Sequence, residues 1–407
     1  MTIHARLPVS ISAILAFSLF ITACGGSGGG GGGPIETPQF GTLTGTVRES
    51  AGQSVVPNAT VAVGTASTTT AATGRFTLQN VPLGAGNISV TAVGFDAYSQ
   101  AVTVQSGTNN HDVALTRKSI YASGAVTGLL SPTIPTFRGI LFLLAGSTQD
   151  SRPFIRGEPG CWSSQNVQLG TAVCDPGDFR QRLLALAQQH GLALFGARTA
   201  QANGIAAYDE LISGIASVAA QSGRSELANA PILLVGSSLG GCIAHGFTRV
   251  HTARSIGFIT AKGACHTGGA SPAQAVPGYL FIGEDDPVSP DAINQITQLF
   301  NDNRTLGAPW ALAIEQGSGH EFPRRNDAIF RWLEAVLTRR LPSSHVAGTP
   351  LPAVNAATGW LANRATGVIG AETCFASDKS VASWLPTEAT ARDWQTFVGS
   401  TAAVGCN

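Results

Sequence analysis

Pro231-Ile232-Leu233-Leu234-Val235-Gly236-Ser237-Ser238-Leu239-Gly240-Gly241 is the stretch on which the reading of this chain turns. Five apolar residues predict a buried strand. G-x-S-x-G follows, and a helical pattern then runs through Arg249. The pentapeptide alone recurs by chance, but strand, tight turn and helix together form a context with a physical purpose. Glycines on either side of Ser238 permit a crowded turn that pushes a hydroxyl into the open.

Outward from that turn, short apolar runs alternate with helical segments. Strands are expected at Ile140–Leu144, Leu192–Phe195, Ile232–Val235, Ile256–Thr260, Gly278–Ile282 and Trp310–Ile314. Continuous apolar runs of this length are what parallel strands covered on both faces require. Phe179, Leu183, Leu186 and Ala187 fall on one helical face, as do Ile329, Leu333, Val336 and Leu337. The pattern reads as an α/β protein with a parallel sheet and flanking helices.

A serine hydroxyl attacks well only when a base takes its proton and an acid orients that base. Gly283-Glu284-Asp285-Asp286-Pro287-Val288 and Gly317-Ser318-Gly319-His320-Glu321-Phe322 each follow a predicted strand. Loops at strand ends are where such sheets gather their ligands. The order Ser, Asp, His on these elements resembles the α/β-hydrolase superfamily, and within it the dienelactone hydrolase-like and polyester depolymerase-like esterases, over about residues 139–340. The resemblance implies Ser238 as nucleophile, His320 as general base and then acid, and Asp286 as the orienting carboxylate, preferred to Asp285 by its distance from Gly283. It also implies two oxyanion donors, the N–H of Leu239 and one from the loop Leu144-Ala145-Gly146-Ser147-Thr148. Ser147 is the candidate there, with Thr148 next; Ala145-Gly146 stands where many members have His-Gly. No cofactor is implied. The expected activity is hydrolysis of a small-molecule or polymeric carboxylic ester through an acyl-enzyme. A peptidase of the same fold keeps the same residue order, although no propeller-length domain precedes the sheet. A surface-binding lipoprotein with a relic site is the non-enzymatic reading, and the complete residue set argues against it.

His245, two turns beyond Ser238, reads as a packed or solvated helix residue, and His266 as a plain loop histidine in preference to one lining the pocket. No metal-ligand spacing appears.

Met1–Arg6 is weakly basic and Leu7–Thr22 almost unbroken in apolar character, the build of a secretory signal peptide. Ile21-Thr22-Ala23-Cys24-Gly25 resembles a bacterial lipobox, which implies cleavage after residue 23 and a lipidated Cys24 as membrane anchor. Several acyl chains hold a membrane where one does so marginally. Gly25, where many lipoproteins retained at the inner membrane have aspartate, favours the outer membrane or a periplasmic face. Gly25–Gly33 is eight glycines and one serine, a flexible tether placed at residues 24–40.

From residue 41 to 117, β-type runs at Thr42–Val47, Ala59–Val63, Arg75–Leu78, Asn87–Val93 and Ala101–Val104 predict a sandwich. Thr73-Gly74-Arg75-Phe76-Thr77-Leu78 and Val56-Pro57-Asn58-Ala59-Thr60-Val61 carry a resemblance to the carboxypeptidase regulatory-like, or transthyretin-like, domain. It offers no catalytic motif and reads as a spacer, with carbohydrate or partner binding as the alternative. The hydrolase region is set at 118–341 and a C-terminal extension packed on it at 342–407, with a helix starting at Pro386 that puts Ala391, Trp394 and Val398 on one face.

Beyond Cys24 stand Cys161, Cys174, Cys242, Cys265, Cys374 and Cys406. An even number in an exported chain favours bridges. Sequential pairs, 161–174, 242–265 and 374–406, suit the local order; buried, reduced cysteines are the alternative.

The 407 residues carry 24 basic against 24 acidic side chains, so the basic footprint of a nucleic-acid-binding protein is missing. After the leader, no apolar run approaches the roughly 20 residues of a membrane span. Oligomeric state leaves no mark in the sequence.

Overall fold

Alternating apolar residues organise the first part of the chain into two facing sheets. In the computed structural model, which describes residues 39–147, 149–158, 179–198, 205–263, 269–287, 291–323, 326–344 and 348–406, this part contains eight strands. They are β1 (Phe40–Glu49), β2 (Thr60–Val63), β3 (Ala66–Thr69), β4 (Arg75–Pro82), β5 (Gly84–Thr91), β6 (Tyr98–Val104), β7 (Gly107–Asn110) and β8 (Val113–Leu115). One sheet runs β4-β1-β7, with β8 also on β1, and the other runs β3-β2-β5-β6. The alternating pairs Val61/Val63, Phe76/Leu78 and Ile88/Val90 all lie in the core between them. Strands β3, β7 and β8 were not expected. β3 and β7 bury no side chain, so they carry no apolar alternation to read.

The second region begins with a hairpin, β9 (Ile120–Ser123) and β10 (Val126–Leu129), turning at Gly124, whose φ is +56°. Its other strands are β11 (Gly139–Leu144), β12 (Leu192–Ala197), β13 (Ile232–Ser237), β14 (Ser255–Ala261), β15 (Gly278–Gly283) and β16 (Trp310–Glu315). Together they form one sheet in the order β16-β15-β14-β13-β11-β12-β10-β9. All pairs from β12 to β16 are parallel, whereas β10 runs antiparallel to both its neighbours. The six expected strands are therefore the parallel part of an eight-stranded sheet.

Side chains of each central strand divide between two cores. Ile140, Phe142, Leu144, Ile232 and Leu234 enter one, and Leu141, Leu143, Leu233 and Val235 the other. Burial on both faces is why these strands read as unbroken apolar runs. Helices α1 (Arg152–Arg156), α2 (Phe179–His190), α3 (Ile205–Ser222), α4 (Leu239–Val250), α5 (Ala292–Arg304) and α6 (Asp327–Arg340) complete this region. The apolar faces expected on α2 and α6 are buried.

The C-terminal extension adds a small sheet, β17 (Trp360–Ala362), β18 (Ile369–Ala371), β19 (Ser383–Leu385) and β20 (Val404–Cys406), and helix α7 (Glu388–Phe397). Helix α7 does not start at Pro386. Thr387 is its N-cap, in a reciprocal capping box with Thr390, because a hydroxyl there satisfies a free N–H that proline cannot. Ala391 and Trp394 are buried on one face, and Val398, half-buried, closes the helix.

Residues from Phe40 onward make one compact unit. The Tyr121 hydroxyl donates to the carbonyl of Gly94 at 3.0 Å, tying the sheet region to the sandwich. A Cβ on Gly94 would lie 2.5 Å from the Ser222 carbonyl oxygen, so only glycine allows that approach. Among the described residues no helix is long and apolar enough to cross a membrane. The expected leader, Cys24 and most of the tether lie outside the described residues, as do Cys161, Cys174, Cys265, His266 and Thr148.

Candidate active site

Strand β13 delivers Ser238 to the carboxyl edge of the sheet, and α4 starts at the next residue. Ser238 holds φ +53° and ψ −121°, a conformation that residues with a side chain rarely adopt. Its peptide N–H donates to the Ala261 carbonyl at 2.7 Å, which anchors the turn to β14. The flanking glycines are steric necessities. A Cβ on Gly236 would lie 2.1 Å from the Gly240 carbonyl oxygen, and one on Gly240 would lie 2.0 Å from that of Leu144.

Two further loops converge on this turn. His320 Nε2 lies 2.8 Å from Ser238 Oγ, and His320 Nδ1 lies 2.7 Å and 2.9 Å from the two carboxylate oxygens of Asp286. A ring bonded in this way to a carboxylate carries its proton on Nδ1 and offers Nε2 as acceptor for the serine proton. Asp286 is buried and the other two are half-buried, so the relay is shielded yet reachable. Asp285 takes no part through its side chain in that relay; its N–H donates to the Ser318 carbonyl at 3.0 Å. The Gly317 N–H donates to Glu284 Oε2 at 3.1 Å. These bonds lock the acid loop to the histidine loop. Gly283 permits their approach, since a Cβ there would meet the Gly319 carbonyl oxygen at 2.2 Å.

The Leu239 N–H opens α4 and so has no acceptor within its own helix. Ser147 sits on an exposed turn after β11. Neighbouring Gly146 keeps the space beside the serine open: a Cβ there would meet Gln149 Oε1 at 2.9 Å and Ser238 Cβ at 3.4 Å. Gln149 escaped sequence reading because no motif marks it. His245 is buried, with Nε2 3.0 Å from Ser271 Oγ and the ring packed against Phe258 and Trp310, which decides between the packed and solvated readings.

Cys374 and Cys406 are bridged. Cys242 is also disulfide-bonded, while its expected partner, Cys265, falls outside the described residues, as does the 161–174 pair. Among the described residues no group of three or more His, Cys, Asp or Glu side chains is placed to hold a metal ion.

Under the relay lies a polar cluster that sequence reading also missed: Lys262, Glu315, Ser318 and Glu321. Its only sequence signal is a lysine closing the apolar run Ile256–Ala261 at the edge where loops gather.

The strand order, the antiparallel β10 and the serine turn after β13 decide the fold. Residues 120–340 have the α/β-hydrolase fold. Residues 42–116 match the carboxypeptidase regulatory-like domain family. Among solved structures, the chain is similar to a thermostable esterase (12% identity, covering 69% of this chain and 91% of that one, TM-score 0.34). It is also similar to the fluorophosphonate-binding serine hydrolase F of Staphylococcus aureus (14% identity, 54% and 96%, TM-score 0.35). A third is a dienelactone hydrolase-like promiscuous phosphotriesterase from metagenomic libraries (11% identity, 51% and 87%, TM-score 0.33). Three other structures, matched over 19%, 22% and 19% of this chain, are themselves spanned over only 58%, 50% and 17% of their lengths. No curated protein is significantly similar in sequence.

Proposed function

We propose that this protein is a serine hydrolase acting on carboxylic esters, exported and anchored through a lipidated Cys24. The observation that carries the reading is the unbroken Ser238–His320–Asp286 relay at a strained turn. Ser238 Oγ attacks the ester carbonyl carbon while His320 Nε2 takes its proton. The tetrahedral oxyanion is held by the Leu239 N–H, at the positive end of α4, and by the Ser147 N–H. The imidazolium, stabilised by Asp286, then protonates the departing alcohol, which leaves an acyl-enzyme. Water, deprotonated by His320, releases the acid and restores Ser238. The substrate is a small-molecule or polymeric ester, and no cofactor takes part. The sandwich serves as a spacer between the membrane tether and the hydrolase.

A fluorophosphonate probe tests the chemistry. An adduct at Ser238, lost in Ser238→Ala and slowed at least about a thousandfold in His320→Ala, is expected. An adduct at another residue, or one indifferent to His320, overturns the reading. Nitrophenyl esters of graded acyl length, run beside peptide amides, separate esterase from peptidase; faster amide turnover would reassign the substrate. Metabolic palmitate labelling, abolished by Cys24→Ser, checks the anchor.

A further inference from the structure

Lys262, at the end of β14, is a buried cation that the proton relay does not use. Its side chain is 0% exposed. Its Nζ donates to Ser318 Oγ at 2.9 Å and lies 3.5 Å from Glu315 Oε2. Ser318 Oγ donates onward to Glu321 Oε1 at 3.1 Å. Ser318 and Glu321 bracket His320 on its loop, so one ammonium reaches both sides of the histidine and the end of β16. Three carboxylates act on it: Glu315, Glu321 and Asp286. Burial pulls its proton affinity below the ordinary lysine range, and the three carboxylates push it back up.

The backbone adds independent weight. Lys262 holds φ +60°, a region that glycine enters freely and side chains disfavour. A lysine there keeps a strained backbone that glycine would relieve, and its N–H is held by the Phe281 carbonyl at 2.8 Å. Space is also reserved for it: a Cβ on Gly283 would lie 2.7 Å from Lys262 Nζ.

We propose that Lys262 is a positioning residue for the Asp286–His320 pair. It ties the histidine loop to the ends of β14 and β16 and sets the charge balance in which His320 exchanges its proton. This rests on the reading of Ser238 as a nucleophile activated by His320. The charged groups packed around the histidine loop are Lys262 just after β14, Glu315 at the end of β16 and Glu321 on the loop itself, with Glu284 bonded to the Gly317 N–H from the loop after β15. A cation here opposes a second positive charge on His320, and each carboxylate favours one. His320 acts as a base only when neutral, so labelling of Ser238 slows on the acid side of its pH profile.

The test is the pH dependence of fluorophosphonate labelling of the full chain, with folding of each variant checked by circular dichroism. In Lys262→Met the acid-side midpoint should rise by about half to one pH unit, and in Glu321→Gln it should fall by a similar amount. The plateau rate of Lys262→Met should also drop about tenfold as the histidine loop loosens. A purely structural role would not move the two midpoints in opposite directions. An unmoved midpoint in either folded variant, or shifts of the same sign, overturns the proposal. Should Lys262→Met not fold, Lys262→Gln takes its place, with the same rise in midpoint expected and an unmoved midpoint overturning the role. Absence of labelling in the unaltered protein overturns the nucleophile reading and this role with it, whereas labelling with fixed midpoints overturns the Lys262 role alone.

Discussion

Gly240 shows how narrow the tolerance is around Ser238. A Cβ at this position would press against the Leu144 backbone oxygen at 2.0 Å, and backbone cannot rotate away as a side chain can. Gly240→Ala should therefore cost about 1–3 kcal/mol, read from urea unfolding, and remove probe labelling of whatever remains folded. Asp286→Asn tests a different property. It preserves shape but removes the charge that sets the His320 tautomer, so kcat on a nitrophenyl ester should fall about ten-thousandfold with little change in melting temperature. Ser238, His320 and Asp286 were legible because each lies in a short motif tied to a strand end. Lys262 and Gln149 were not. Their placement depends on neighbours 56 residues away, as in the Lys262–Ser318 bond, or on space left by a glycine.

Among the elements, the C-terminal extension does the most for β16, the outer strand of the large sheet. An uncovered edge leaves backbone groups without partners. Here Ser383 Oγ accepts from the Leu312 N–H at 3.0 Å and donates to its carbonyl at 3.1 Å, and Trp394 Nε1 donates to the same carbonyl at 2.7 Å. Arg304 reaches from α5 to the Ala382 and Lys379 carbonyls at 2.7 Å and 2.8 Å. The Cys374–Cys406 bridge, with a sequence separation of 32, closes this extension on itself. Replacing both cysteines with serine should destabilise the fold by about 3–4 kcal/mol, measured as a lower urea midpoint. Trp394, placed on one helical face by the sequence, is buried with the hydrolase core, whereas Phe375 and Trp384 form a small cluster within the extension. The strand pairing of this segment was not legible, because three-residue strands leave no alternation to read. The β9–β10 hairpin was missed because β10, Val126-Thr127-Gly128-Leu129, breaks its apolar character at Thr127 and Gly128 and so gives no continuous run to read.

Across the whole molecule, stability should depend on pH through two half-buried histidines. Burial of His190 at the end of α2 and of His251 after α4 penalises the charged ring, so both titrate below the ordinary histidine value. The unfolded chain then binds protons more readily in the window just below pH 6.5, and stability present above it is lost as pH falls. Melting at pH 5.5 should come about 2–4 °C below that at pH 7.5, and His190→Gln with His251→Gln should flatten the difference. The same two-level division holds for the fold. Apolar periodicity and turn chemistry are local, so the sandwich, the parallel strands and the serine turn could be read along the chain. The sheet order, the antiparallel β10, the closure of the acid loop onto the histidine loop and the burial of Lys262 beneath them were settled only by folding. They depend on which distant backbones approach within hydrogen-bond reach, and no spacing along a single chain encodes that distance.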